Sequence, residues 1–576
     1  MCGIVGYTGF RQAREVVLDG LCALEYRGYD SAGIALNGAG LDVFKCKGRV
    51  KALRDIVPPS SAVCGIGHTR WATHGAPVAK NAHPHVSFDG EIAVVHNGVI
   101  ENHERLRAEL ARRGVHTVSD TDSELLAHML ALESGTMEER VRKVAAATEG
   151  AATFLAVRKG DSSIYCHRRG AALLLAHAEG ESFASSDMLA LAPYVKEVTV
   201  MQDGESGVLT ADGAVLFGSD GRKTARTPCP VTSYRPRDCN CHMREEIAEI
   251  PCALRATYAS VAEAFRTNRL VLTRMKLARE ILLIGCGTAY HACLFGKEML
   301  EEYLSVPCRA VPASEADNLR FVDESVFAVF VTQSGETADT LRALDYCKDK
   351  GAATLALTNV RGSTITFRAD CSLYLDAGPE IAVAATKSYC CQLLALAMTA
   401  RAAAGVPAEE SEIEELAQNV GLVSAPPDFA ECVLADKLFF IGKGTDGITA
   451  REGALKFKEI TYKMADAYMA GELKHGTIAL MDCDSVAVVC ATVPSDAKRI
   501  KATVSELKSR GATVFAVSAV GDIGADKTLY LPPAERCEFY PVLAVIPLQL
   551  LALESSLALG LDPDKPRNLA KSVTVI

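Results

Sequence analysis

Ile281-Leu-Leu-Ile-Gly-Cys-Gly-Thr288 is a strand-length apolar run that breaks on paired glycines and opens into a helical pattern. It recurs as Leu438-Phe-Phe-Ile-Gly-Lys-Gly-Thr445, where Gly442 stands 157 positions after Gly285. A second echo joins Gly351-Ala-Ala-Thr-Leu-Ala-Leu-Thr358 to Gly511-Ala-Thr-Val-Phe-Ala-Val-Ser518, 160 positions later. Two echoes at nearly one offset predict a duplicated subdomain, and two copies make a tandem pair, not a solenoid. Strands alternating with helices of a dozen or more residues predict parallel sheets. The expected extents are 241–420 and 421–560, with a tail at 561–576.

Upstream the texture differs. Short strand-like runs (Gly3–Tyr7, Ala62–Thr69, Glu91–His96, Ala152–Val157, Ser163–His167) alternate with helical patterns at Arg11–Glu25, Glu104–Arg113 and Ser123–Leu132. They predict a layered α+β domain over 1–218. The stretch 219–240 is polar and carries Pro228, Pro230 and Pro236, so a linker is expected there.

The chain's 576 residues fit several domains, and the net charge of −10 offers no basic stripe for nucleic acid. The 20 cysteines include no Cys-x-x-Cys pair, which predicts reduced cytosolic thiols and neither a metal site nor a disulfide. Met1-Cys-Gly-Ile4 is not expected to begin a signal peptide, and Val542–Leu559, with Pro547, Gln549 and Glu554, suits a buried helix better than a membrane span.

Removing Met1 would leave Cys2 with both a thiol and a free α-amine, which can act as its general base. Three segments point the same way. Gly65-Ile-Gly-His-Thr-Arg-Trp-Ala-Thr-His-Gly75 brings Arg70 and the only tryptophan, Trp71. His96-Asn97-Gly98 offers an amide and an open N–H to an oxyanion. In Ser119-Asp-Thr-Asp-Ser-Glu124, Asp122 is placed to meet an ammonium group. Plain alternatives are a surface ion pair for Arg70, a hairpin turn for Asn97-Gly98 and helix capping for Ser119–Asp122.

With Leu24-Glu-Tyr-Arg-Gly-Tyr-Asp-Ser-Ala-Gly33 and Asn81-Ala-His-Pro-His85, these segments resemble the class II, N-terminal-nucleophile (Ntn) glutamine amidotransferases. The resemblance implies an αββα domain in which Cys2 attacks the glutamine amide. Asn97 and Gly98 would form the oxyanion hole, Arg70 would hold the α-carboxylate and Asp122 the α-ammonium. Trp71 would gate the passage of ammonia. His85 matches a family position near the glutamine pocket, with a structural role as the competing reading.

In the second half, Thr332-Gln-Ser-Gly-Glu-Thr-Ala-Asp-Thr340 clusters hydroxyl and amide donors where a strand opens into a helix, which makes a phosphate cradle; an ordinary N-cap is the alternative. The second copy has no comparable run after Val486–Cys490, so one sugar-phosphate site is expected. Gly442-Lys-Gly-Thr-Asp-Gly447 matches a dinucleotide fingerprint, but no ribose-binding acid follows it in a Rossmann unit.

These segments resemble the sugar isomerase (SIS) fold, a doubly wound α/β unit. Glu452-Gly-Ala-Leu-Lys-Phe-Lys-Glu459, Gly471-Glu-Leu-Lys-His-Gly476 and Lys565-Pro-Arg-Asn-Leu-Ala-Lys-Ser-Val-Thr-Val575 extend the likeness, end to end, to the glutamine–fructose-6-phosphate aminotransferase family. The resemblance implies that L-glutamine and D-fructose 6-phosphate give L-glutamate and D-glucosamine 6-phosphate, for amino-sugar synthesis. Thr288, Gln333, Ser334 and Thr337 would hold the sugar phosphate. Lys571 would form a Schiff base, His475 would assist ring opening, and Glu459 would move the proton between C1 and C2 beside Lys456. Thr332 stands where Ser is usual and keeps the hydroxyl; Ala289 and Ala385 stand where Ser is often found and do not. The sugar carbonyl is itself the electron sink, so no metal, nicotinamide or pyridoxal cofactor is expected. A homodimer is implied. The competing readings are a glutaminase with another acceptor, such as a phosphoribosyl diphosphate, and a non-catalytic sugar-phosphate sensor.

Overall fold

The computed structural model describes residues 2–71, 75–231, 240–424, 426 and 431–573. Part of the Gly65–Gly75 motif, most of the expected linker and the end of the tail lie outside the described residues. The chain forms two compact units, Met1–Asp238 with Ala570–Ile576, and Cys239–Leu569.

In the first unit two antiparallel sheets, of eight and seven strands, carry helices on their outer faces. Gly3–Thr8 lies inside the larger sheet between Glu181–Ser185 and Cys64–Arg70. Ile92–Asn97 lies in the smaller one between Thr153–Arg158 and His85–Val86. These strands are buried on both faces, and the two-residue period sorts their side chains. Ile4, Ile66, Ala93 and Val95 pack between the sheets. Val5 and Tyr7 face the helix Ala13–Ala23, and Ile92 and Val94 face the helices Glu124–Leu132 and Met137–Ala147. The layers are therefore helix, sheet, sheet, helix, as the Ntn resemblance implied. Within 219–240, Lys223–Thr224 and Cys229–Pro230 pair as the edge strands of the two sheets. Pro230 is tolerated there because an edge strand leaves its nitrogen without a ladder to join.

The second unit contains the tandem pair. Each copy is a five-stranded parallel sheet with the same strand order: Cys308–Pro312, Glu280–Gly285, Val326–Thr332, Ala353–Thr358, Cys371–Tyr374, then Ala465–Met469, Lys437–Gly442, Ser485–Ala491, Thr513–Ser518, Lys527–Tyr530. In both, the first strand in sequence is followed by a 17-residue helix, Thr288–Leu304 or Thr445–Thr461. Each of these helices ends on a left-handed residue, Ser305 at φ 54° and Tyr462 at φ 61°. Close packing explains the first glycine of each echo: a Cβ on Gly285 would lie 2.9 Å from the Ala289 backbone, and one on Gly442 2.3 Å from that of Asp446. Ile281, Leu283, Leu438 and Phe440 face one core that runs through both copies. Leu282 and Ile284 face Leu341 and Leu344, while Phe439 and Ile441 face Ile500 and Val504. Cys537–Ala558 is long and apolar enough to cross a membrane, and 78% of its most apolar window is buried inside the unit. The described cysteines are all free thiols.

Candidate active sites

The first site gathers at one end of the inter-sheet layer. Counting by twos from the apolar core reaches it on three strands: Ile4 back to Cys2, Ile66 through His68 to Arg70, and Val95 to Asn97. The Trp71 N–H points at Cys2 Sγ over 3.3 Å, and the Asn97 side-chain amide donates to the Cys2 carbonyl at 3.1 Å. Trp71 also meets Tyr29 edge-to-face, with ring centroids 5.6 Å apart. Gly98 turns at φ 139°, and any Cβ there would sit 2.2 Å from the Ala151 carbonyl oxygen, so only glycine fits the bend. Three sequence-expected residues (Cys2, Trp71, Asn97) thus meet, and Gly98 follows Asn97 in the chain.

Arg70 is buried, its guanidinium donating to the Gly75 and Ala76 carbonyls at 3.2 and 3.4 Å. Burial lowers its pKa, against the pull of Cys2, Asp30 and Asp122. Asp122 is buried as well; its Oδ2 accepts the Ile100 N–H at 2.7 Å, and the Ser123 hydroxyl lies 3.4 Å from its Oδ1. His85 sits behind these residues, bonded to the Thr121 hydroxyl at 3.0 Å and packed edge-on to His83. Burial pushes its pKa well below the usual imidazole range, which fits the structural reading.

Sequence reasoning did not single out three buried histidines that line this site, His68, His83 and His96. His68 stood two residues before Arg70 on the same strand face, a signal legible in the two-residue period.

The second site lies at the carboxyl ends of the first copy's strands. The chain leaves Glu280–Gly285 to opposite sides of the sheet from Val326–Thr332, so a crevice opens between these neighbours. The cradle loop follows Thr332. The Thr332 hydroxyl accepts the Gly335 N–H at 3.2 Å, and the Ser334 hydroxyl accepts the Glu336 N–H at 3.2 Å. Thr337 Oγ1 lies 3.4 Å from Thr332 Oγ1. The Gln333 carbonyl accepts the Asn359 N–H at 3.1 Å, which ties the loop to the next strand end.

Glu452, Lys456 and Glu459 share one face of the helix Thr445–Thr461. The Lys456 ammonium lies 2.6 Å from Glu459, 2.9 Å from the Thr288 hydroxyl and 3.4 Å from Glu452. It donates to the Thr288 hydroxyl and is ion-paired with both carboxylates. The Thr288 hydroxyl in turn donates to Glu452 Oε1 at 3.0 Å, and His291 Nδ1 lies 2.7 Å from Oε2. Burial works against the Lys456 charge, but Glu459 and Glu452 outweigh it and raise its pKa. Burial likewise works against the Glu452 carboxylate, yet Lys456, His291 and Thr288 hold its pKa below the ordinary value. The cluster is graded from inside to outside: the Glu452 side chain is sealed in, while that of Glu459 is 21% exposed. Of the two carboxylates, Glu459 is the one that reaches the surface of the site.

Thr288, expected at the phosphate, thus commits its hydroxyl to this cluster. His291 had not been singled out. His475 stands exposed on the turn Glu472–His475, and among the described residues no hydrogen bond or ion pair joins it to the cluster. Lys571 falls in the tail grouped with the first unit.

A glutamine amidotransferase domain family matches residues 68–192, and the SIS domain family matches twice, at 275–402 and 433–559. A glutamine--fructose-6-phosphate aminotransferase [isomerizing] of Symbiobacterium thermophilum is 42% identical over 611 aligned positions, covering 100% of both chains. A protein of the same name from Thermus thermophilus is 40% identical over 609, again covering 100% of both. The solved C-terminal domain of glucosamine-fructose-6-phosphate aminotransferase from Francisella tularensis is 29% identical, with a TM-score of 0.53 over 58% of this chain and 100% of its own. Spanned from end to end at these identities, the chain belongs to the glutamine–fructose-6-phosphate aminotransferase (isomerizing) family.

Proposed function

We propose that the chain moves the amide nitrogen of L-glutamine onto D-fructose 6-phosphate and isomerises the product to D-glucosamine 6-phosphate, releasing L-glutamate. The observation that carries this reading is the pairing, in one chain, of an Ntn-type cysteine site with a cradle-and-carboxylate site in a SIS pair. Residues 1–218 serve as the glutaminase, 219–240 as the linker, 241–420 and 421–560 as the two SIS domains, and 561–576 as the closing tail.

Once Met1 is gone, the Cys2 amine takes the thiol proton and Sγ attacks the glutamine amide carbon. Asn97 and Gly98 donate to the oxyanion, while Arg70 and Asp122 hold the α-carboxylate and α-ammonium. Collapse of the tetrahedral adduct releases ammonia past Trp71, and water then cleaves the thioester. In the SIS pair, Thr332, Gln333, Ser334 and Thr337 hold the phosphate and hydroxyls, Thr288 anchors the acid/base cluster below them, and His475 assists ring opening. Lys571 forms a Schiff base with C2, which ammonia displaces. Glu459, steadied by Lys456, takes the proton from C1 and returns it to C2. A homodimer working among reduced cytosolic thiols is the proposed setting.

The test follows both products. Met1-processed protein given both substrates is expected to yield glutamate and glucosamine 6-phosphate in equal amounts, and Cys2→Ala is expected to abolish both. Glutamate without amino sugar, from folded protein, would leave a glutaminase with a different acceptor.

A further inference from the structure

We propose that His68 is a positioning residue of the glutaminase site, fixing the Asn97 side-chain amide with its NH2 group toward Cys2. The inference rests on the reading of Asn97 as an oxyanion donor.

The argument starts from a group that cannot turn over. His68 Nε2 lies 3.0 Å from the His96 carbonyl oxygen and 3.1 Å from Asn97 Oδ1. A backbone carbonyl only accepts, so Nε2 must carry the proton. The same N–H then faces the Asn97 amide and selects its oxygen, which leaves Nδ2 to donate to the Cys2 carbonyl at 3.1 Å. With the amide reversed, two N–H groups would oppose each other inside a buried cluster, at a cost of a full unmade hydrogen bond. His68 itself cannot turn. It is stacked on His83, with centroids 4.1 Å apart and planes 20° from parallel. His83 is locked in turn, because its Nδ1 accepts the His96 N–H at 3.1 Å. One backbone residue, His96, thus sets the tautomers of both rings, through its carbonyl on one side and its N–H on the other.

The arrangement keeps its sense because His68 stays neutral. Its Nδ1 is buried with no hydrogen-bond partner among the described residues, so a second proton there would go unanswered. Burial, helped by the nearby Arg70 charge and by His96, takes its pKa to about 3, against the hydrogen bonds to His96 and Asn97. Arg70, His83, His85 and His96 surround it; Asp122 and Cys2 act on Arg70, and Asp122 on His96, but among the described residues no carboxylate is hydrogen-bonded to His68 itself.

The test uses the full-length, Met1-processed enzyme and follows glutamate release in three variants. Asn97→Ala is expected to lower kcat about 10²–10³-fold, as loss of one oxyanion donor does. His68→Leu is expected to lower kcat about 30-fold with KM within about threefold. His68→Gln, whose amide can still donate to both carbonyls, is expected to recover to within about fivefold of the parent. A collapse in Asn97→Ala with His68→Leu unchanged within twofold would overturn the positioning role alone. An Asn97→Ala enzyme of full activity would sink the oxyanion reading, and the inference with it. If His68→Leu fails to fold, 15N-histidine NMR of the parent decides. An Nε2-protonated ring that does not titrate above pH 5 supports the role; an Nδ1-protonated or titrating ring overturns it.

Discussion

The two copies of the α/β unit share a frame and divide the chemistry. Strand order, helix length and left-handed helix end are common to both, yet equivalent helix positions hold different residues. Glu452, Lys456 and Glu459 of the second copy correspond to Phe295, Met299 and Glu302 of the first. Phe295 and Met299 belong to the shared core, and Glu302 is exposed. The strand-end loops differ in the opposite sense. The first copy carries the hydroxyl-rich loop Thr332–Thr337 and places Ala289 near its helix start. The second places Asp446 there, whose carboxylate accepts both the Thr492 N–H, at 2.8 Å, and the Thr492 hydroxyl, at 2.6 Å. The N–H and hydroxyl at this strand end thus bind a carboxylate of the chain itself. In the proposed reading one copy binds and the other moves protons, and Thr288, bonded to both Glu452 and Lys456, joins the two across the helix pair.

The largest effect separates the equivalent acids. Glu459→Gln is expected to slow formation of glucosamine 6-phosphate by about 10²–10⁴-fold, the range of a lost general acid/base. Glutamate release at Cys2 should continue. Glu302→Gln, on the matching turn of the first copy, is expected to leave turnover unchanged and stability within about 0.5 kcal/mol. Equal losses from both substitutions, measured as amino-sugar phosphate formed, would break the division of labour.

Two buried carboxylates sharpen the comparison through pH. Glu452 has a folded pKa below its ordinary 4.5, so its contribution is present above that value and is lost as pH falls through the folded pKa. Asp446 is the reverse. Burial raises its pKa above 3.8, and the Thr492 hydrogen bonds offset this only in part. Its folded form therefore holds a proton more tightly than the unfolded chain does, and its contribution declines as pH rises through that window. At neutral pH, Glu452→Gln is expected to cost about 3 kcal/mol, since Lys456 loses one of two anionic partners in a sealed site. Asp446→Asn should cost about 1–2 kcal/mol through imperfect pairing with Thr492. In thermal unfolding from pH 7 to 3, the gap between parent and Glu452→Gln should narrow on acidification, and the gap to Asp446→Asn should widen. Parallel slopes would mean that the two carboxylates share one role.

Much of this was legible in the sequence, for identifiable reasons. The repeat showed because glycines at close approaches, such as Gly285 and Gly442, cannot drift without a clash. Cys2, Arg70 and Asn97 stood out because they lie in short motifs that resemble those of a known family. The left-handed ends at Ser305 and Tyr462 did not, since neither residue type announces that conformation. Nor did the partners of Thr288. Its hydroxyl looks like any phosphate donor until two helices, 157 positions apart in the repeat, are packed face to face. The strand face of His68 was legible in the two-residue period, but its link to Asn97 was not, because it bridges two stacked sheets and no local pattern records which strands will oppose each other.

The smallest effect tests whether the two frames are still equivalent. Gly287 and Gly444 cap the matching helices at φ 54° and 57°, with ψ −122° and −128°. Only glycine adopts this conformation readily, and nothing lies within 4 Å of a Cβ at either position. Alanine at either position should therefore cost the same backbone strain and nothing else, about 1–2 kcal/mol in chemical unfolding. Function should tell them apart. Gly287 turns the chain into Thr288 beside the proposed phosphate cradle, so Gly287→Ala is expected to raise the KM for fructose 6-phosphate about threefold. Gly444 turns it into Asp446, where the internal carboxylate already fills the place of a ligand, and Gly444→Ala should leave that KM unchanged. Equal stability losses with unequal KM values are what a shared frame with divided chemistry requires; unequal stability losses would show that the second turn has acquired a constraint of its own.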